Sequence, residues 1–192
     1  MYSQITANKR KTWLLIALFV AVLLLIGWAF YQYTGEPVSV SLAAVLAIAM
    51  ALFSYYAGDA VALRLAGAKP ADAQHDAYVV RMVENLAITA GLPMPKVYLI
   101  DDPAINAFAT GRDPAHASVA VTSGAIEGLE NEELEGVLAH ELSHVANYDI
   151  RLMTVVRVLV GLAALLADWF VRMSWYGRGS RGSSREGRGG GA

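Results

Sequence analysis

The 192-residue chain is 56% hydrophobic with a mean hydropathy of +0.42, too apolar for an ordinary water-soluble domain and in the range of chains that carry membrane segments around one modest domain. Its net charge of −2 excludes the basic surface that nucleic-acid binding needs, so no nucleic-acid partner is expected. The sequence has no cysteine, which excludes disulfides, thiolate metal sites and thiol nucleophiles; a metal would have to be held by histidine and carboxylate.

A polar start ends in Lys9-Arg10-Lys11 and is followed by an uncharged run, residues 12–35. The run exceeds the roughly 20 residues that cross a bilayer as a helix. No small-residue cleavage site follows it, which predicts an uncleaved anchor. A second uncharged run, residues 37–58, comes almost at once, so the connection Thr34-Gly35-Glu36-Pro37 predicts an antiparallel hairpin in the lipid bilayer. Trp28, Tyr31 and Tyr33 suit one membrane interface and Tyr55 and Tyr56 the other. Lys9, Arg10 and Lys11 precede the hairpin, Arg64 and Lys69 follow it, and the turn has no basic residue. By the positive-inside rule, the N-terminus and the segment from Asp59 onward face the cytoplasm.

Residues 59–77, with Lys69-Pro70 and a solvated His75, read as a helix exit and linker. A helix is predicted over 76–90 from the spacing of Val79, Met82, Val83 and Leu86, stopped by Gly91-Leu92-Pro93. Residues 96–100 read as a short strand closed by Asp101-Asp102-Pro103, an acidic pair that fits a strand-end turn better than a metal site. Two more strands are expected over 105–110 and 117–122, with turn residues Gly111-Arg112-Asp113-Pro114 between them and an exposed His116 at the start of the second. The small residues Ser118-Val119-Ala120-Val121 suit either an edge strand that accepts a peptide by strand addition or an ordinary core strand. The pattern does not separate the two.

The chemistry is concentrated in Ala139-His140-Glu141-Leu142-Ser143-His144. On a helix, residues four apart project from one face a turn apart, so His140 and His144 can hold one zinc ion between them, and Glu141 can act as general base on a water at the metal. Glu130, Glu132 and Glu133 would complement the start of that helix, with Asn131 as N-cap. Leu134, Leu138, Leu142 and Val145 form its packing side, and the histidines lie about 100–140° away. Asp149, about 140° beyond His144 on a continuing helix, would point away from the metal as a second-sphere or helix-end residue.

Residues 150–174 are again strongly apolar but contain Arg157 and Asp168, which share a face that should meet protein or water. Asp168 and Arg172 are spaced for an i, i+4 pair. The Gly/Arg/Ser-rich tail from Gly177 is expected to be disordered. A full third crossing would put Arg178, Arg181, Arg185 and Arg188 outside, so the segment is expected to pack on the hairpin or lie partly in the interface.

These residues resemble the HtpX heat-shock family of integral-membrane zinc metalloproteases, relatives of the CAAX prenyl proteases. The resemblance rests on Gly91-Leu92-Pro93-Met94-Pro95-Lys96-Val97-Tyr98, Ile105-Asn106-Ala107-Phe108-Ala109-Thr110-Gly111, Val119-Ala120-Val121-Thr122-Ser123-Gly124, Glu133-Leu134-Glu135-Gly136-Val137-Leu138 running into the HExxH, and Asn147-Tyr148-Asp149, in that order behind a hairpin. It implies zinc, one ion per chain, on His140 and His144, Glu141 as base, and a polypeptide substrate running beside Asn106-Ala107-Phe108 and the following strand. It also implies quality control of misfolded or membrane proteins at the cytoplasmic face of the inner (plasma) membrane. The fold class implied is a membrane α-helical protein with an α+β zincin-like domain: tail and hairpin over 1–58, zincin-like domain over 59–150, third hydrophobic helix over 151–176 and tail over 177–192. In the family the third zinc ligand is a glutamate on a later helix. Asp149 and Glu186 are poor substitutes, which raises the expectation of a C-terminally truncated chain. The competing readings are a non-catalytic membrane-anchored fragment or degenerate homologue that acts through binding, and a transporter component built on Arg157 and Asp168.

Overall fold

The computed structural model describes residues 2–72 and 74–179. Two long helices, α1 (Tyr2–Thr34) and α2 (Val38–Leu65), form the hairpin, and Gly35 turns the chain between them at φ +75°. Leu14, Leu18 and Leu25 on α1 and Val45, Ile48 and Leu52 on α2 point outward and are largely exposed. An apolar surface of this extent needs lipid around it. Among the described residues three helical stretches are long and apolar enough to cross a membrane: Gln4–Thr34, Val38–Leu65 and Asp149–Asp168. α2 runs past Gly58 to Leu65, so the first part of the segment read as linker is helix.

Behind the hairpin come β1 (Lys69–Pro70), α3 (Ala77–Ala90), β2 (Lys96–Ile100), β3 (Ala107–Gly111), β4 (Ala117–Thr122), α4 (Ser123–Gly128), α5 (Asn131–Ala146) and α6 (Asp149–Gly179). The sheet order is β1-β2-β4-β3. β2 and β4 run parallel, and β1 and β3 lie antiparallel at the two edges. Side chains on one face, including Val97, Ala109, Val119 and Val121, pack with Val79 and Val83 of α3 and with Leu134, Leu138, Leu142 and Val145 of α5. Ile100, Ala120 and Phe108 on the other face meet Leu63 at the end of α2. The membrane hairpin therefore supplies one lid of the sheet.

This arrangement decides the reading left open for residues 118–121. β4 is buried at all six positions and paired on both sides, so it is a core strand; its neighbour β3 is an edge strand, as is β1 at the far side of the sheet. The helix cap also differs from expectation. Glu130 is the N-cap of α5, with its N–H donated to the Glu133 carboxylate (3.0 Å), while Asn131 starts the helix and accepts a hydrogen bond from the Tyr78 hydroxyl (2.6 Å).

Residues through Leu159 form one compact unit, and those from Val160 form a second. In the first, the start of α6 packs on the hairpin through Val155 and Leu159 against Ile16, flanked by Phe19, Ala51 and Tyr55. Gly58 allows that approach, since a Cβ there would stand 2.7 Å from the Thr154 methyl. In the second unit Asp168 and Arg172 form the expected pair at 2.8 Å. α6 continues through Gly179, so the first three residues of the expected disordered tail are helical; residues 180–192, including Glu186, lie outside the described residues.

Candidate peptidase site

α5 owes its length to an acidic first turn, Glu132 and Glu133, and to a leucine stripe that packs on the sheet. With that stripe buried, the adjacent face carries His140 and His144 outward. Their Nε2 atoms lie 3.2 Å apart, with the rings edge to face at 4.7 Å between centroids. Two imidazoles bound to one tetrahedral zinc at about 2.0–2.1 Å would have nitrogens about 3.3 Å apart. The donor pair thus fits a single zinc-sized ion without rearrangement of α5. Among the described residues no group of three His, Asp or Glu converges on one metal position.

Glu141, between the two histidines, reaches the sheet: its Oε2 accepts the N–H of Ala109 at 3.0 Å. That amide belongs to the free edge of β3. Asn106, just before β3, gives its carbonyl to Thr122 N–H of β4, so residues 106, 108 and 110 turn their backbone groups toward β4. Ala107, Ala109 and Gly111 then turn theirs outward. The Gly111 N–H meets the Thr154 hydroxyl of α6 at 3.4 Å, and Thr154 in turn bonds Thr110 at 2.9 Å. The strand edge, Glu141 and His144 face a common cleft of about 320 Å³. Residues 106–109 form one wall, Glu141 and His144 the second, and Ile150, Met153 and Arg157 the third. Arg157, expected to face protein or water, faces this cleft.

α5 ends at Ala146, and Tyr148 reverses the chain in the left-handed region (φ +61°). Asp149 therefore opens α6 instead of continuing α5, and its Oδ2 comes back to His144 Nδ1 at 3.1 Å. It contacts the ring nitrogen opposite the one that faces His140, the second-sphere place expected of it, but it reaches there from the start of α6 and not from a continuing α5. Its other oxygen accepts the side-chain amide of Asn8, on α1. Asn8 and Thr154 were not legible as site residues, because neither carries a charge or a motif and each earns its place only through tertiary contact.

Against known families, the model of peptidase family M48 matches residues 73–182. The chain belongs to peptidase family M48. The M48 region thus holds α3, β2 to β4 and α4 to α6, while the hairpin and β1 lie before it. Curated relatives extend the likeness to the hairpin. Protease HtpX homologs are 42% identical over 180 residues in Caldanaerobacter subterraneus, covering 93% of this chain and 60% of that protein, and 41% identical over 182 residues in Dictyoglomus thermophilum, covering 94% and 60%. The chain spans about 60% of the length of these M48 relatives. Among solved structures, the crystal structure of S. mikatae Ste24p covers 85% of this chain and 39% of its own at 18% identity, with a TM-score of 0.44.

Proposed function

We propose that this chain carries the anchor and the metal-and-base half of a membrane zinc metalloendopeptidase that cleaves misfolded or membrane polypeptides on the cytoplasmic side of the inner (plasma) membrane. One observation carries the reading: two imidazole Nε2 atoms at a zinc-chelating separation, with a carboxylate from the same helix beside a free strand edge. A zinc ion held by His140 and His144 would polarise the scissile carbonyl and acidify a water. The outward backbone groups of β3 would hold the substrate extended, with Asn106, Ala107 and Phe108 beside the scissile region. Substrate pairing at Ala109 would free Glu141 to take the proton of the attacking water and pass it to the leaving amine. The cytoplasmic orientation rests on the basic residues at both ends of the hairpin and their absence from its turn.

The test is zinc per chain by elemental analysis of the detergent-purified protein, beside His144→Ala and Glu141→Gln, with peptide hydrolysis measured on each. The reading expects bound zinc that His144→Ala loses. It also expects Glu141→Gln to keep its zinc while hydrolysis falls by at least about 100-fold. Zinc absent from the parent would leave the non-catalytic binding role instead, and hydrolysis that survives Glu141→Gln would remove Glu141 as the base.

A further inference from the structure

Asn8 sits in the polar stretch before the first apolar run, yet its side chain is buried at 8% exposure. Its two amide protons are both spent on the turn between α5 and α6, one on the carbonyl of Asn147 at 3.1 Å and one on the carboxylate of Asp149. An Asn amide has two donors, so its orientation is fully determined by these partners. The Asp149 carboxylate is determined in turn: one oxygen takes Asn8, the other takes His144 Nδ1. A carboxylate only accepts, so this contact selects the Nδ1–H tautomer of His144 and leaves the Nε2 lone pair aimed at His140. Next to Asn8, the Lys9 ammonium lies 4.1 Å from the centroid of Tyr148, the residue that makes the left-handed turn, and Arg151 approaches the same ring at 5.1 Å. Among the described residues His140 Nδ1 has no comparable partner.

We propose that Asn8 is a positioning residue of the metal site: through Asp149 it fixes the His144 imidazole, so the first membrane helix completes the site as well as anchoring it. This rests on the zinc reading above and goes beyond it, since Asn8 lies outside the region that the M48 model matches. The separate contacts of Asn8 and Lys9 on the same turn explain why a hairpin helix, distant in sequence, is needed there. Losing the donor would let the Asp149 carboxylate rotate and the His144 ring with it.

Two measurements on the full chain in detergent test this. Zinc affinity, measured by chelator competition, should fall about 10-fold or more in Asn8→Ala and in Asp149→Asn, the usual cost of losing an outer-sphere partner. The double variant should match Asp149→Asn within about threefold, because the two residues act in series. Thr12→Val is the control: Thr12 is buried still more completely one turn along α1, but among the described residues its hydroxyl bonds the Asn8 carbonyl and not the turn, so parental affinity is expected. Long-range proton–nitrogen spectra of the metal-free protein should show His144 as the Nδ1–H tautomer in the parent and a tautomer mixture in both single variants. Parental affinity and tautomer in Asn8→Ala, or independent additive losses in the double variant, would overturn the proposal while leaving the zinc site in place. A parent that takes up no zinc but shows the tautomer shift would overturn the zinc reading and keep the positioning role.

Discussion

β3 and β4 are neighbours in the sheet, similar in length and built from small residues, yet their environments are opposite. β4 lies between β2 and β3 and is buried at every position, whereas β3 turns Ala107, Ala109 and Gly111 toward an open edge where Glu141 and Thr154 are the first groups met. Which strand has backbone groups free at an edge is therefore a property of topology and not of composition. The parallel β2–β4 pairing forces β4 to the centre and leaves β3 to the site.

The contrast is broken most severely at the centre. Val119→Asp puts a carboxylate at a position with no exposure between α5 and the sheet; an unpaired buried charge should cost at least about 4 kcal/mol and remove the cooperative thermal transition of the domain. Next in size is the corner that joins the two strands. Gly111 has φ +138°, and a Cβ there would lie 2.3 Å from the His116 carbonyl oxygen. Gly111→Ala should cost about 2–4 kcal/mol by denaturant melting, with strain and backbone clash acting together.

Much of this was legible before any coordinates. The hairpin came from two uncharged runs with a short turn, and α3 from Val79, Met82, Val83 and Leu86 ending at Gly91, which indeed closes the helix in the left-handed region. The buried stripe of α5 was readable because leucines recur at helical spacing. The roles of β3 and β4 were not, because Ser118-Val119-Ala120-Val121 reads equally as edge or core when partner strands are unknown. The second-sphere place of Asp149 was legible but its route was not, because Tyr148, a tyrosine in a conformation tyrosine rarely adopts, ends the helix without the usual glycine signal. Asn8 carried no signal, since its role exists only once α1 meets a turn roughly 140 residues away.

The edge itself can be altered without touching the core. Ala107→Pro removes an outward N–H that no β4 carbonyl uses, a substitution edge strands tolerate. Thermal stability should change by less than about 1 kcal/mol, while kcat/KM for a peptide substrate falls about 10-fold, the loss of one backbone hydrogen bond. The same substitution at Ala120, in β4, should unfold the domain. Equal effects at the two positions would show that β3 is not the substrate edge.

The smallest expected effect lies in the turn that joins the strands. Asp113 precedes the 3-10 turn Pro114–His116, and its carboxylate accepts the His116 N–H at 3.0 Å and faces His116 Nδ1 at 2.7 Å, with Arg112 at 3.8 Å. Partial burial pushes the Asp113 pKa up, but the hydrogen bonds and charge of His116 and the charge of Arg112 outweigh it, leaving the group below the usual aspartate range. A carboxyl whose folded pKa is depressed stabilises the fold above its unfolded pKa of about 3.9 and loses that contribution as pH falls through the lower, folded value. Asp113→Asn should therefore lower Tm at neutral pH by no more than about 3 °C, because the group is partly solvated. The gap between parent and variant should close as the pH drops below about 4. A gap that persists at acid pH would mean that Asp113 holds the turn through the geometry of its hydrogen bonds to His116 rather than through its charge.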